Sequence, residues 1–429
     1  CVSRSRPGGG SPRDPPRCDW RSSRPKLDKE ACIDCLHCWI HCPDSSIQVK
    51  DEKMVGFDYR HCKGCGICAW ICPAYAMKQI EPDVVAAYPM TPQTEIVMTF
   101  AQYAADGEVR TEMIPVESEH SAMSACVGSA AAGARTMTAT AADGLALMWE
   151  VLYIAASTRL PIVMSVVNRA LSAPINIHCD HSDSMGARES GWIQIYCENA
   201  QEVYESLILA VRIAEHPDIL LPVMVCQDGF ITSHAVEAVE IFEDDQVKEF
   251  LGDYRPERSL IDVDNPVTYG PLDLYDYYFE HKRQRAEAML RAREKIPEVS
   301  AEFEKTFGRR YSLVETYRLE DAEYAVMCLG STAGTAKTVV DGLRAEDRKV
   351  GLVKLRFMRP FPSSDLQHSL RRLDAVGLLD RSLLLTSYIY GLGGREIDPP
   401  MIRKVFKELA EPSSGEKVAR ELHYLGVRE

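Results

Sequence analysis

Two runs of cysteine carry the strongest chemical signal in this chain. Cys32, Cys35, Cys38 and Cys42, followed by Pro43, recur thirty positions later as Cys62, Cys65, Cys68 and Cys72, followed by Pro73. Three thiolates at x2 spacing can wrap a loop around one face of an iron–sulfur cube, and the fourth ligand then comes from the other run. We therefore assign one [4Fe–4S] cluster to Cys32, Cys35, Cys38 and Cys72, and a second to Cys62, Cys65, Cys68 and Cys42. Gly64 and Gly66 let backbone amides approach the cluster sulfurs. The competing chemistry is a zinc ribbon built of paired CxxC knuckles, which leaves the third cysteine of each run and the trailing proline without a purpose. His37, His41 and His61 stand among the ligands, but the cysteines already close both clusters, so these rings are read as neighbours of the site or surface groups.

Three further groups sit where α/β proteins place their sites. Tyr88-Pro-Met-Thr91-Pro-Gln-Thr94 puts hydroxyls and a helix N-terminus at the end of an apolar run, and such termini favour anions. Glu117-Ser-Glu119-His120 follows another apolar run and opens a stretch of tiny residues suited to close packing. Val167-Asn168-Arg169-Ala170 ends a third run with a lone arginine. Each also has a structural reading: a capped helix, an acidic first turn, a solvated arginine. Two glycine patterns are set aside. Gly64-x-Gly66-x-x-Ala69 lies inside a cysteine loop, not between a strand and a helix. In Gly330-Ser-Thr-Ala-Gly334-Thr-Ala-Lys337 the lysine does not directly follow the second glycine, as a phosphate loop requires.

These groups need a scaffold. At roughly 100–200 residues per domain, 429 residues predict two to four units. A composition 46% apolar and 26% charged is that of a globular chain. The net charge of −14 argues against nucleic acid as a partner. No apolar run reaches the ~18–20 residues of a membrane span, and the first residues lack the apolar core of a secretory signal, so a cytoplasmic location is expected. The odd cysteine total points to reduced thiols, and Cys1, Cys18, Cys126, Cys179, Cys197, Cys226 and Cys328, scattered singly, read mostly as small buried side chains. After residue 83 the pattern alternates. Strands are expected at Asp83–Tyr88, Met113–Val116, Thr136–Thr140, Pro161–Val167 and Leu221–Cys226. Helices are expected at Pro92–Ala105, capped by Thr91, at Ser118–Ala134 and near 145–157 and 200–215. A charged helical connector spans 270–310. A second unit starts at Ala325–Gly330 and continues with a helix over 332–344, a strand at Val350–Leu355 and a proline-broken turn at 359–362. Strands alternating with helices imply a mostly parallel sheet.

A resemblance covers nearly the whole chain after residue 18. Residues 19–80, with CIDCLHCWIHCP and CKGCGICAWICP, look like the ferredoxin-type delta subunit of the pyruvate:ferredoxin oxidoreductases (pyruvate synthases). Residues 83–429 resemble the alpha subunit of that family through DVVAAYPMTPQTEIV, VESEHSAMSACVGSAAAGART, LPIVMSVVNRALSAPINIHCDHSDSM, GWIQIYCENAQE, LLPVMVCQDGF, GLVKLRFMRPFP and GLGGRE. The implied fold class is α/β with an appended small α+β module: a two-cluster ferredoxin followed by two transketolase-like parallel-sheet α/β domains. The implied division is a flexible basic arm over 1–30, the ferredoxin over 31–81, a pyrimidine-binding-like domain over 82–256, a helical connector over 257–319 and a transketolase C-terminal-like domain over 320–429.

The resemblance implies coenzyme A-dependent oxidative decarboxylation of pyruvate, or the reverse synthesis, with thiamine diphosphate and Mg2+, electrons passing through two [4Fe–4S] clusters to an external ferredoxin. Carried over by motif, Glu119 hydrogen-bonds the cofactor's aminopyrimidine, while Thr91 and Arg169 bind the substrate. A planar arginine fork suits a carboxylate. The Gly-Asp-Gly…Asn segment that holds the diphosphate and Mg2+ has no counterpart here, so a beta-type partner subunit is expected to supply it. A gamma-type subunit is expected to handle coenzyme A, and the complex to form a dimer. Two departures stand out: family alpha subunits carry an opening strand and helix before DVVAAYP, and a stretch is shortened around Thr386–Tyr390. Two rival readings remain. One is a branched-chain (2-ketoisovalerate) ferredoxin oxidoreductase, since one methylene discriminates by only ~1–3 kcal/mol. The other is a non-catalytic electron-transfer or docking module.

Overall fold

The computed structural model describes residues 47–50, 53–57, 71–235, 237–382, 388–389, 398–410 and 423–424. The N-terminal arm, Cys32 to Cys68, the three histidines among them and the GLGGRE stretch lie outside the described residues. So does the Cys72 side chain, although its backbone belongs to a helix.

Between the two cysteine runs, β1 (Ile47–Lys50) and β2 (Lys53–Phe57) form an antiparallel hairpin. The second run then leads straight into α1 (Ile71–Ile80). Ala74, Ala76, Met77 and Ile80 are buried in the largest core cluster, and the buried Gln79 side chain bonds Phe242 O and Asp244 and accepts from Tyr204. One helix therefore belongs by sequence to the cysteine module and by packing to the α/β body.

The body continues with β3 (Val84–Ala87), α2 (Thr94–Ala105), β4 (Glu112–Pro115), α3 (Glu119–Ala132), β5 (Thr136–Thr140), α4 (Ala142–Leu147), α5 (Trp149–Ser157) and β6 (Ile162–Asn168). After it come α6 (Ser182–Gly186), β7 (Ile193–Tyr196), α7 (Ala200–Ala214), β8 (Val223–Asp228), α8 (Asp244–Leu251) and α9 (Tyr278–Phe307). The first sheet has the order β12-β7-β8-β6-β5-β3-β4, where β12 is Phe357–Arg359; all its strands are parallel except β12, which runs antiparallel to β7. Strands β5, β6, β7 and β8 are buried along their whole length because helices cover both faces. From β3 the chain steps to β4 on one side and then to β5 on the other, so the switch of direction falls between β3 and β5. Ligands of open α/β sheets bind at that place, beyond the carboxyl ends of the strands.

The second sheet joins β9 (Val314–Tyr317), β10 (Tyr324–Cys328), β11 (Val350–Leu355), β13 (Ala375–Asp380), β14 (Tyr388–Ile389) and β15 (His423–Tyr424), with α10 (Thr332–Arg344), α11 (Ser363–Leu370) and α12 (Pro399–Ala410). Its core packs α10 and α12 against the strands through Val326, Val340, Leu352 and Val405. No helix among the described residues is long and apolar enough to cross a membrane.

Several local expectations change. Gln93 N–H donates to Met90 O, closing a turn with Thr91 and Pro92 at its centre, so the helix starts at Thr94 and Thr91 does not cap it. The helix expected over 145–157 is two, α4 and α5, that meet at Met148. Residues 270–277 are not helical; α9 starts at Tyr278. The segment before Pro360 is strand β12, which leaves the second unit to complete the first sheet, while β9, from within 257–319, edges the second. Short strands of three or four residues form through partners far away in sequence, and local pattern does not announce them.

Candidate active site

Three carboxyl ends of the first sheet meet around the switch point. The turn after β3 carries Thr91, exposed, its hydroxyl without a hydrogen bond among the described residues. Helix α3 follows β4 and opens on Glu119. Ser118, in extended conformation, accepts the Ser121 N–H and fixes where that helix starts. Glu119 is buried, and its Oε1 has no hydrogen-bond partner. After β5, Gly144 packs on it so closely that a Cβ there would lie 2.7 Å from Glu119 Oε1 and 2.6 Å from the equally unpartnered Thr140 Oγ1. Burying a carboxylate oxygen without a partner costs several kcal/mol. Glycine at this position lets the α4 backbone lie against two unpartnered side-chain oxygens at the sheet's switch point.

Arg169, buried at the end of β6, is already engaged. Its Nε donates to Asn176 O at 3.1 Å and one Nη to Thr91 O at 2.9 Å; the other Nη faces Asp143 at 3.6 Å. The structure thus joins Thr91 and Arg169 directly. Through Asp143 and its neighbour Gly144, it brings Glu119 to the same edge. The arginine's free choice of partners is narrower than the sequence suggested, because only the Nη edge facing Asp143 is not bound to a backbone carbonyl.

Asp183 organises this edge, and sequence reasoning missed it. Its Oδ1 accepts from Asn168 Nδ2 (2.8 Å) and Ser184 N–H (2.7 Å); its Oδ2 accepts from Arg169 N–H (3.0 Å) and Ala142 N–H (3.1 Å). One carboxylate therefore ties the end of β6 to the start of α4. Ala142 is held there at φ +38°, a left-handed conformation that costs a residue with a Cβ about 1–3 kcal/mol. Burial pushes the Asp183 carboxyl up to about 6, against the hydrogen bonds from Asn168, Arg169 and Ser184. No spacing rule marks this aspartate; it is one of two in His-Cys-Asp-His-Ser-Asp.

Two other clusters have metal-like compositions. Ligand atoms of Cys179, His181 and Asp228 lie within 4.8 Å of one another. Asp228 is, however, committed to a latch between the sheets. It accepts from His181 Nε2 (2.8 Å), Ser331 N–H (3.1 Å) and Ser331 Oγ (2.5 Å), with Arg381 at 3.4 Å. Burial alone would raise this carboxyl; the charges of His181 and Arg381 and its hydrogen bonds hold it well below the usual range. Gly330, at φ +60°, leaves room for it, since a Cβ would meet Asp228 Oδ1 at 2.8 Å. The second cluster, Glu198, Glu202 and Glu315, is already filled by Lys337, Lys354 and Arg356. Lys337, the lysine of the discarded phosphate-loop pattern, is spent there. Cys126, Cys179, Cys197, Cys226 and Cys328 are buried free thiols, as expected of packing residues.

Comparison with known proteins agrees with this architecture. The profile of the pyruvate flavodoxin/ferredoxin oxidoreductase thiamine diphosphate-binding domain matches residues 75–301, and that of pyruvate:ferredoxin oxidoreductase core domain II matches 322–407. A 4Fe-4S dicluster profile matches 24–73, which contains all eight clustered cysteines. Pyruvate synthase subunit PorA of Thermotoga maritima is 58% identical over 379 residues, covering 83% of this chain and 96% of that protein. PorA of Methanocaldococcus jannaschii is 48% identical, covering 80% and 94%. A 2-oxoglutarate:ferredoxin oxidoreductase from Magnetococcus marinus, solved with 2-oxoglutarate, coenzyme A and succinyl-CoA bound, shares the fold at a TM-score of 0.61 and 17% identity, over 80% of this chain and 64% of that one. A dicluster cysteine segment, a thiamine diphosphate-binding domain and a core domain II thus follow one another in a single polypeptide, and the chain belongs to the pyruvate:ferredoxin oxidoreductase family.

Proposed function

We propose that this chain is the delta and alpha portion of a pyruvate synthase, a cytoplasmic 2-oxoacid:ferredoxin oxidoreductase completed by beta- and gamma-type subunits, with ferredoxin as electron partner. The observation that carries the reading is the buried, unpartnered Glu119 Oε1 at the switch point of the first sheet. The buried acceptor left open at Glu119, with the Gly144 backbone lying against it, suits the pyrimidine end of thiamine diphosphate, whose hydrogen bond Glu119 would accept. When bound, the cofactors supply a nucleophilic thiazolium carbon and one-electron carriers.

The chain's own residues do the rest. Glu119 fixes the proton balance of the pyrimidine ring. Thr91 offers an exposed hydroxyl to the substrate, and Arg169 meets the substrate carboxylate through the Nη edge that faces Asp143. The Arg169 bonds to Thr91 O and Asn176 O hold that edge in place, so orientation is settled before the substrate arrives. A beta-type subunit carries the diphosphate and Mg2+ and closes the site. For pyruvate the support is the subunit name of the 58% identical relative. The test is the assembled enzyme on a panel of 2-oxoacids with coenzyme A and ferredoxin. Pyruvate should show the highest kcat/KM, and faster turnover of 2-ketoisovalerate would overturn the assignment.

Anaerobically purified chain is expected to hold about eight iron and eight acid-labile sulfide, four of each per cluster. Stoichiometric zinc without sulfide would end the cluster assignment.

Gly144→Ala tests the packing against Glu119. The added methyl drives against Glu119 Oε1 and Thr140 Oγ1, and overpacking of this kind costs about 1–3 kcal/mol. The assembled variant should stay folded while its thiamine diphosphate affinity, read by calorimetry, falls about ten- to a hundredfold. Unchanged affinity would separate Glu119 from the cofactor.

A further inference from the structure

The second sheet has a switch point of its own. From β10 the chain moves to β11 on one side and later to β13 on the other, all three parallel, so the reversal falls between β10 and β13. Beyond those two carboxyl ends stand Gly330-Ser331 with the N-terminus of α10, and Arg381. Open α/β sheets bind ligands at this place, and a helix N-terminus beside an arginine favours an anion. An anion is already there, and it belongs to the protein: the buried Asp228 carboxylate, from the end of β8 in the first sheet. Its Oδ2 accepts both the N–H and the hydroxyl of Ser331, with Arg381 at 3.4 Å. Gly330 completes the space, since a Cβ there would lie 2.8 and 2.9 Å from the two carboxylate oxygens.

The other oxygen faces the first sheet. Oδ1 accepts from His181 Nε2 at 2.8 Å, and the His181 N–H donates to Arg381 O at 3.1 Å, so this histidine is bonded to the carboxylate and to the residue beside it. His181 stands two positions before Asp183, whose Oδ2 holds the Arg169 N–H. A second route is shorter. Asp228 pairs with Asn168 across β8 and β6, and the next residue, Gly229, donates its N–H to Asn168 O at 3.0 Å. That approach leaves no room for a side chain: a Cβ on Gly229 would lie 2.4 Å from Asn168 O. Asn168 directly precedes Arg169. Both routes from Asp228 therefore end at the arginine, and neither passes through Glu119.

We propose that the second sheet serves catalysis as a positioning device: its ligand crevice is filled by Asp228, and this internal carboxylate sets Arg169 for the substrate. Asp228 is a positioning residue, reaching Arg169 only through the backbone and through Asp183. This role rests on the reading of Arg169 as the partner of the substrate carboxylate. Removing the Asp228 side chain leaves the Ser331 N–H and hydroxyl, His181 and Arg381 directed at a gap the size of one carboxylate group. Buried donors without an acceptor are costly, and a free formate ion matches what was lost in charge and size.

The test uses the assembled enzyme, prepared anaerobically, with Asp228→Ala. Its KM for pyruvate should rise about ten- to a hundredfold, as expected when a charge-assisted contact to the substrate is misplaced. Thiamine diphosphate affinity, read by calorimetry, should hold. Added formate should restore KM along a saturable curve, and sodium chloride at equal ionic strength should not. Formate should also raise the thermal midpoint of the variant and not that of the unaltered enzyme, because it binds only the vacated crevice. Ser331→Ala keeps the aspartate and removes one donor of the second sheet. It should raise KM about three- to tenfold, which keeps the role testable if the first variant does not assemble. Arg169→Lys is measured beside them. If it raises KM while Asp228→Ala and Ser331→Ala do not, the positioning role is wrong and the catalytic reading stands. If Arg169→Lys leaves KM unchanged, the catalytic reading falls and the positioning role with it. A raised KM that formate does not restore, with no gain in midpoint, would overturn the assignment of the crevice to a carboxylate.

Discussion

Glu119→Gln in the assembled enzyme is expected to lower turnover by about 10²–10⁴-fold, the range lost when a positioned proton-handling group is removed. Glutamine keeps the length and shape of the side chain, and Ser118 still caps the helix that presents it, so the fold should survive. What glutamine lacks is the carboxylate that the proposed mechanism uses to exchange a proton with the pyrimidine ring. The direct readout is hydrogen–deuterium exchange at the C2 carbon of bound thiamine diphosphate, followed by NMR after acid quench. Exchange should slow in step with turnover, while calorimetry shows the cofactor still binding. Normal C2 exchange in the variant would take this glutamate out of the chemistry and leave it a buried helix-opening residue.

The largest expected loss of stability lies elsewhere, at Glu202. Here the chain crosses from one sheet to the other. Leu355 ends β11 in the second sheet, and Phe357 begins β12 in the first. Lys354 and Arg356, on either side of Leu355, are buried at that junction. Glu202, in the first turn of α7, accepts from Lys354 Nζ at 2.5 Å and from Arg356 Nη2 at 3.0 Å, and it also accepts the Glu198 N–H at 2.8 Å. With Glu198, Glu315 and Lys337 the network holds three acids and three bases, so its charges cancel. Removing one acid leaves a buried cation uncompensated. Glu202→Ala should therefore cost about 3–5 kcal/mol, read as a lower urea midpoint with the two sheets separating early. A loss below about 1 kcal/mol would mean that the network behaves like a surface ion pair.

The same network sets an acid limit. Burial would raise the Glu202 carboxyl, but the charges of Arg356 and Lys354 lower it to about 2 from its ordinary 4.5. A depressed carboxylate contributes stability that is complete above about 4.5 and disappears as pH falls through about 2. The difference between the unaltered chain and Glu202→Ala should accordingly be constant near neutral pH and shrink below about pH 4.

Much of this protein is legible in its residues taken in order. Iron–sulfur ligation takes three thiolates a few residues apart, and the repeat of the run thirty positions on offers the fourth for each cluster, so both ligand sets can be read from the order of residues. The alternation of apolar strands and helices from residue 83 onward reports a parallel sheet, because strands buried on both faces must be apolar throughout. Ser118 as a helix start, and Thr91, Glu119 and Arg169 at strand ends, follow from the same local rules. What the order of residues does not carry is any contact between segments far apart. Gly144 lies 25 positions from the Glu119 it makes room for. Asp183 gathers Ala142 and Arg169, and Lys354 finds Glu202 from 152 residues away. Strand β12 reads as a proline-broken turn until β7 is beside it. Residues 270–277 look like the start of a charged helix until the fold shows that the helix begins at Tyr278. Short-range energetics act within one turn or one strand, so sequence reveals them. Burial, ion pairing and exposure arise only when the chain has folded back on itself, and the tertiary structure alone decides them.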